Sequence, residues 1–316
     1  MGLGANTSGW TVLDSGDGRS MCAVSVRCAA RGGQRPRVLA AVEVACADAQ
    51  AEPDALRGLM GQVERRLPLL CTLSRSQYRL RVMAEPAVPA RELLQSLRWA
   101  LSTEGDTPQE EHNLAWLPIP AQEQAPSRGR QGYVVSTPSE ALDARLATWR
   151  AAGVRPKVVD IRETALRNLA GAVEPPGQSV ALLSAEAAGV AMVFTHQGAL
   201  VLDRFAELAA EEPGAADPAA HERQQERIAT QLQRSLDVLG HAYPGLPPAS
   251  VLAGPAPRWP ELGTFLSARL AQPVLPFALE QVFDLTEVPH LAQSAALQAR
   301  CMVALGAALR GMREAA

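Results

Sequence analysis

Residues 179–205 read SVALLSAEAAGVAMVFTHQGALVLDRF. Three apolar runs, at 180–183, 190–194 and 200–202, are separated by two short breaks of small and polar residues, the second holding Gly198. Runs of this length bounded by turn residues read as strands, and gaps of a few residues join antiparallel neighbours, so the stretch predicts a three-strand meander. Its first break carries Ser184, Ala185 and Glu186, a hydroxyl and a carboxylate at the tip of a hairpin.

Outward from that meander the same pattern recurs. Residues 10–13, 21–26 and 38–44 predict a second meander near the N-terminus, joined by SGDG at 15–18 and RGGQRPR at 31–37. A helix is expected from Glu52, with Pro53 in its first turn, through Leu56, Leu59, Met60, Val63 and Leu67, then a strand at 77–83. The middle of the chain predicts a helix over 88–101, an acidic loop over 102–111, strands at 113–119 and 132–136 around the polar segment 120–131, and a helix over 139–152 with a capping-type start at Thr137–Glu140. A strand at 157–161 and a helix at 162–172 follow. Beyond the central meander come a loop at 206–220, a helix at 221–240, strands at 250–252 and 274–276 around a helix at 257–271, and a closing helix at 291–310. Strands, helix, strand, helix thus occur twice, which is the plan of a duplicated, two-lobed α/β fold. The expected parts are a first lobe at 1–87, an inserted α+β subdomain at 88–160, and a second lobe at 161–316, with parts of 161–178 and 290–316 packing back on the first lobe.

Composition narrows the function. The 316 residues carry a net charge of −3, so no whole-molecule field gathers nucleic acid or anionic membrane. Lys157 is the single lysine, outside any GxxxxGK[ST] loop. Cys22, Cys28, Cys46, Cys71 and Cys301 are scattered and never spaced as CxxC, which suits reduced thiols and neither a disulfide frame nor a zinc site. MGLGANTSGW lacks the positive flank and apolar core of a secretory signal, and no window approaches the ~20 apolar residues of a spanning helix, so the expected location is cytoplasmic. GLGANT at 2–7 follows no strand and lacks the third glycine of a dinucleotide loop. HExxH and GxSxG do not occur, and His112, His196, His221, His241 and His290 lie far apart.

Several separate stretches resemble the PilM-type family of actin-like proteins in type IV pilus assembly, including its MshI-type relatives in mannose-sensitive haemagglutinin pili. They are VVSTPSEALDARLATWRAAGVRPKVVDIRETALRNL at 134–169, ALLSAEAAGVAMVFTHQGALVLDR at 181–204, IATQLQRSLDVL at 228–239, VLAGPAP at 251–257 and VALGAALR at 303–310. The resemblance implies an actin-like ATPase fold of the ribonuclease H-like type, with IATQLQRSLDVL as a long interlobe helix. It also implies two phosphate loops and an adenosine loop. Asp14 and Gly16 fall in the first phosphate loop; an active site needs a carboxylate there to help hold metal, and glycine amides to cradle phosphate. In the second loop Ser184 stands where an acid is expected and Glu186 where a glycine would approach the phosphate. In the adenosine loop Gly254 is followed by Pro255 in place of a second glycine. The implied nucleotide cleft, made of Asp14, Gly16, Ser184 and Gly254, is therefore degenerate; no cofactor, metal or catalytic residue is expected, with ATP and magnesium as the alternative occupants. The implied partner is the short cytoplasmic tail of a PilN-like inner-membrane protein, besides other pilus platform proteins, bound beside the insert. The alternative reading is an active ATPase or sugar kinase of the actin and hexokinase superfamily. The cytoplasmic part of the type II secretion protein L is a further relative by this reading.

Overall fold

The computed structural model describes residues 9–311 except 17–19, 29–33, 47, 49, 104–111, 121–128, 209–217, 245, 247 and 271. The expectations placed on 2–7 and 104–111, and most of those on the loops at 120–131 and 206–220, lie outside the described residues.

In the N-terminal meander β1 (Gly9–Asp14), β2 (Ser20–Arg27) and β3 (Arg37–Ala45) run antiparallel. β1 is buried throughout, and its other edge is taken by β4 (Leu69–Thr72), which lies parallel to it and parallel to β8 (Val158–Asp160). A strand buried on both faces reads as an unbroken apolar run, and Leu69, Leu70 and Cys71 make such a run before the buried Thr72. Periodicity carries a helix across this region and passes over β4. The chain instead ends α1 (Glu52–Met60) at Gly61, and Pro68, which cannot continue a helical ladder, precedes the strand. Val63 and Leu67 are still buried, as loop residues packed into the core.

The central meander forms as expected, with β9 (Ser179–Glu186), β10 (Gly189–His196) and β11 (Ala199–Glu207) antiparallel. Gln197 (φ 51°) and Gly198 (φ 70°) make the tight two-residue turn between β10 and β11, where positive φ at both positions matches the strand twist. β12 (Pro248–Ala253) runs parallel to β9, and β13 (Val274–Pro276) parallel to β12. The two sheets have the orders β3-β2-β1-β4-β8 and β11-β10-β9-β12-β13, one plan used twice.

Between β4 and β8 the chain leaves the first sheet and builds a third. β5 (Arg79–Ala84), β6 (His112–Pro118) and β7 (Gln131–Pro138) are antiparallel in the order β5-β7-β6. α2 (Leu93–Thr103) lies against β6 and buries Leu97, whereas α3 (Ser139–Ala151) packs toward α1 and buries Trp149. The cap expected at Thr137–Glu140 does not form: Pro138 holds the N-cap position, without a side-chain hydrogen bond.

Two helices join the lobes. α4 (Arg162–Val173) lies on the second sheet, α8 (Ala295–Ala308) lies on the first, and the two pack against each other. Their crossing is close at Gly306, where a Cβ would stand 2.2 Å from the Ala165 carbonyl oxygen, and the Gly306 carbonyl accepts from Asn168 Nδ2 at 3.0 Å. Leu166, Leu169, Met302 and Val303 place both helices in one apolar core shared by the two sheets. Each buried leucine there contributes about 1.5–3 kcal/mol relative to exposure. The interlobe position expected for residues 228–239 thus belongs to α4 and α8; α5 (Pro218–Ala242) packs on β11 and α6 (Leu262–Leu270). The expected closing helix is two helices, α7 (Pro289–Gln293) and α8, divided at Ser294, whose Oγ accepts from Leu297 N at 3.2 Å. Among the described residues no helix is long and apolar enough to cross a membrane.

Candidate functional site

The cleft between the lobes encloses a cavity of about 570 Å³. The first lobe contributes the end of β1. Because β1 is the buried centre of its sheet, its last residue Asp14 enters the cleft almost without solvent, at 2 % exposure. Asp14 Oδ1 accepts from Thr72 Oγ1 at 2.5 Å, from the Gly16 amide at 3.3 Å and from Arg162 Nη1 at 2.9 Å, while Oδ2 lies 3.2 Å from the same Nη1. The second lobe contributes the end of β9. There Glu186 Oε2 accepts from Arg162 Nε at 3.1 Å, and Oε1 accepts from Arg75 Nη2 at 3.3 Å. One guanidinium therefore touches a carboxylate from each lobe.

Arg162 is the first residue of α4, where the helix dipole disfavours a cation. Two buried carboxylates outweigh that effect. Burial by itself would lower the Arg162 pKa, but Asp14 and then Glu186 raise it above the ordinary range. Burial would likewise raise Glu186, but Arg162 and Arg75 hold it below the usual carboxylate range. Arg75 extends the network: it pairs with Glu163, which also accepts from the Tyr78 hydroxyl at 2.5 Å, and it stacks 4.5 Å over the Phe205 ring. A third arginine steadies the first loop from the insert side, where Arg145 pairs with Glu52 at 2.5 Å, donates to Ser15 Oγ and lies 4.9 Å over Trp149. Pairs of this kind are shorter and stronger than neutral hydrogen bonds, and they satisfy charges that burial would otherwise penalise.

The residues read from sequence divide in two. Asp14 and Gly16 line the cavity. Gly16 adopts φ 56°, and a Cβ there would meet the Ser20 carbonyl oxygen at 2.6 Å, so its bareness serves the turn after β1. Ser184 is buried in β9, its Oγ without a hydrogen-bond partner among the described residues. Gly254 donates its amide to Leu183 O at 2.9 Å, and a Cβ there would stand 3.0 Å from that oxygen and 3.1 Å from Met302 Cε, so the position is interior packing. Neither is among the residues that line the cavity. Glu186, read as an intruder in a phosphate loop, is the second lobe's acid in the cleft. Sequence reasoning assigned no role to Arg162, Arg75 or Glu163. The available signal was a cation at the first position of a helix, an arrangement that calls for buried anions nearby.

Asp203 on β11 adds a strained charge. Burial, then the Glu163 carboxylate, push its pKa up to about 7, against the opposing pull of Arg75 and Arg204. Its Oδ1 is buried with no partner among the described residues, while its amide donates to the Tyr133 hydroxyl at 3.1 Å, so this acid sits where the second lobe meets the insert. Among the described residues no group of three His, Cys, Asp or Glu side chains is placed to hold a metal ion. His196 ends β10 with Nδ1 3.0 Å from both Ser179 Oγ and Gln178 O, a structural contact.

The insert offers a different surface. β5 is an edge strand of the third sheet, and Val82 on it is 48 % exposed. Val82 shares a face with Leu80, Tyr133 and Val135, the face turned to the lobe cores.

No protein-family model matches the sequence, and no curated protein matches it. Solved structures do. A chain of the PilM-PilN type IV pilus biogenesis complex is 22 % identical, with a TM-score of 0.71 over 95 % of this chain and 97 % of that one. The cytoplasmic domain of EpsL, an inner-membrane component of the type II secretion system of Vibrio cholerae, is 14 % identical, with a TM-score of 0.51 over 96 % and 99 %. A Bacteroides thetaiotaomicron protein described as having an actin-like ATPase fold is 8 % identical, with a TM-score of 0.47 over 91 % and 96 %. The fold is the one shared with the PilM-PilN chain and the EpsL domain, two lobes of one topology around a cleft.

Proposed function

We propose that this chain is a cytoplasmic actin-like scaffold of a type IV or MshI-type pilus assembly platform, holding the short cytoplasmic tail of a PilN-like inner-membrane protein and reaching the membrane through it. The observation that supports this reading is the likeness, over nearly the whole of both chains, to a chain of the PilM-PilN complex. We assign the tail to β5, an edge strand of the third sheet. An extended peptide adding to that edge gains main-chain hydrogen bonds, and its alternate side chains reach Val82 and the apolar face behind it.

The cleft is read as a degenerate nucleotide site, because the residues present do not fit a magnesium triphosphate. A metal would need an oxygen of Asp14 that Arg162 already engages on both sides. The second loop turns through Ala187 and Ala188 and places Glu186 in the cavity, a negative charge facing a polyanion. Gly16 and Gly254 spend their missing side chains on Ser20, Leu183 and Met302. No reaction step is therefore assigned to this cleft. Titration calorimetry of the protein with a synthetic PilN-type tail, with and without Mg-ATP, tests the reading: saturable tail binding that is indifferent to nucleotide is expected. Absence of tail binding under every nucleotide condition refutes the partner assignment. Phosphate release that Asp14→Ala abolishes establishes the alternative, an active ATPase.

A further inference from the structure

We propose that Arg162 is a resident cation that locks the lobes: its guanidinium, fixed between Asp14 of the first lobe and Glu186 of the second, holds the cleft closed. A clamp that closes on a bound phosphate and metal opens when they leave, because the two loops then present like charges to each other. Here the positive charge is covalent. Asp14 and Arg162 are 148 residues apart in the chain, and Arg162 and Glu186 are 24 apart, yet both pairs are within 3.1 Å.

Three further features make this a lock and not a surface ion pair. Both carboxylates and the guanidinium are almost wholly buried, with side-chain exposures of 3 %, 10 % and 9 %, so solvent does not screen them. The fork geometry of arginine lets Nη1 and Nε serve different lobes at once, which a lysine ammonium cannot reproduce at the same positions. The guanidinium is also carried by α4, whose packing against α8 already ties the second sheet to the helix of the first. The polar clasp and the apolar helix crossing therefore share one element.

The test uses the full chain and hydrogen–deuterium exchange, read at the amides of 14–16 and 186–189, with small-angle scattering as a measure of overall opening. Glu186→Gln removes the second lobe's charge while keeping its shape. It is expected to raise exchange at both segments about tenfold or more and to enlarge the radius of gyration, while amides of β6 in the insert stay at wild-type rates. Arg162→Ala is expected to do the same more strongly; should that variant fail to fold, Glu186→Gln still carries the test. Wild-type exchange and scattering in Glu186→Gln overturn the lock, as does a rise in exchange spread equally over β6. The lock stands apart from the reading of the cleft as degenerate: protection of 14–16 by Mg-ATP in the wild type would sink that reading, whereas an unchanged Glu186→Gln protein would sink the lock.

Discussion

The two lobes have the same strand order and differ in what they hang between equivalent strands. In the second lobe the link from β12 to β13 is one helix, α6; in the first, the link from β4 to β8 leaves the sheet and builds a three-stranded sheet with two helices. Exposed apolar surface follows the difference. Among the described residues, Val82, Val88, Leu94 and Trp99 of the insert region stand exposed, against Val238 and Leu275 of the second lobe. Isolated exposed apolar side chains are ordinary, but a concentration of them on one small unit marks a contact surface. Repetition built the frame and its cleft. The unrepeated piece carries more of the exposed apolar side chains, which suits the partner contact proposed above.

Breaking the frame should cost most at the point where the lobes share a charge. Arg162→Ala leaves Asp14 and Glu186 buried without their shared cation and is expected to lose about 3–5 kcal/mol in urea denaturation. Gly306→Ala attacks the apolar half of the same joint. The added methyl group meets the Ala165 carbonyl, so α4 and α8 must separate, at an expected cost of about 1–3 kcal/mol in the same measurement.

Asp203 tests the seam between second lobe and insert through pH. Its folded pKa of about 7 lies above the unfolded value of about 3.9, so the stability it lends is present at low pH and lost as pH rises through about 7. Asp203→Asn is thus expected to raise stability by about 1–3 kcal/mol at pH 8 and to have a negligible effect near pH 4. Glu186 works in the opposite sense: its depressed pKa gives stability that is present above the ordinary glutamate range and lost as acid protonates it. A thermal-melt series across pH in the two backgrounds separates these limbs.

The insert should respond in binding and not in stability. Val82→Arg on the edge strand is expected to weaken the PilN-type tail at least about tenfold, or about 1.4 kcal/mol, with an unchanged melting temperature. Trp99→Ala, on a side chain 68 % exposed, should shift stability by less than about 0.5 kcal/mol. If it also weakens the tail, the contact surface extends from β5 onto α2.

Both meanders were legible because short apolar runs bounded by turn residues are local properties, as in Val180–Leu183 and in the Gln197–Gly198 turn. β4 was not, because Leu69, Leu70 and Cys71 continue the apolar pattern of the helix before them, and a buried strand without alternation cannot be told from a helix face by periodicity. In the cleft, Asp14 was legible as a turn acid after a strand. Arg75 lies in a polar stretch with no pattern; Arg162 carries the one local mark, a cation opening a helix, but nothing near either residue in the chain names Asp14 or Glu186 as its partner.

By itself the sequence determined the repeated order of strands and helices and the lack of GxxxxGK[ST], HExxH and CxxC patterns. These depend on residues near one another in the chain. It put the inserted unit after the first copy, at 88–160, whereas the third sheet lies between β4 and β8 and takes in β5. Only the tertiary structure decided that one arginine joins Asp14 to Glu186, that Ser184 and Gly254 are interior packing, and that α4 and α8 cross closely at Gly306. Pairing charges and fitting a glycine against a carbonyl join residues more than a hundred positions apart, and no pattern along the chain encodes a distance across it.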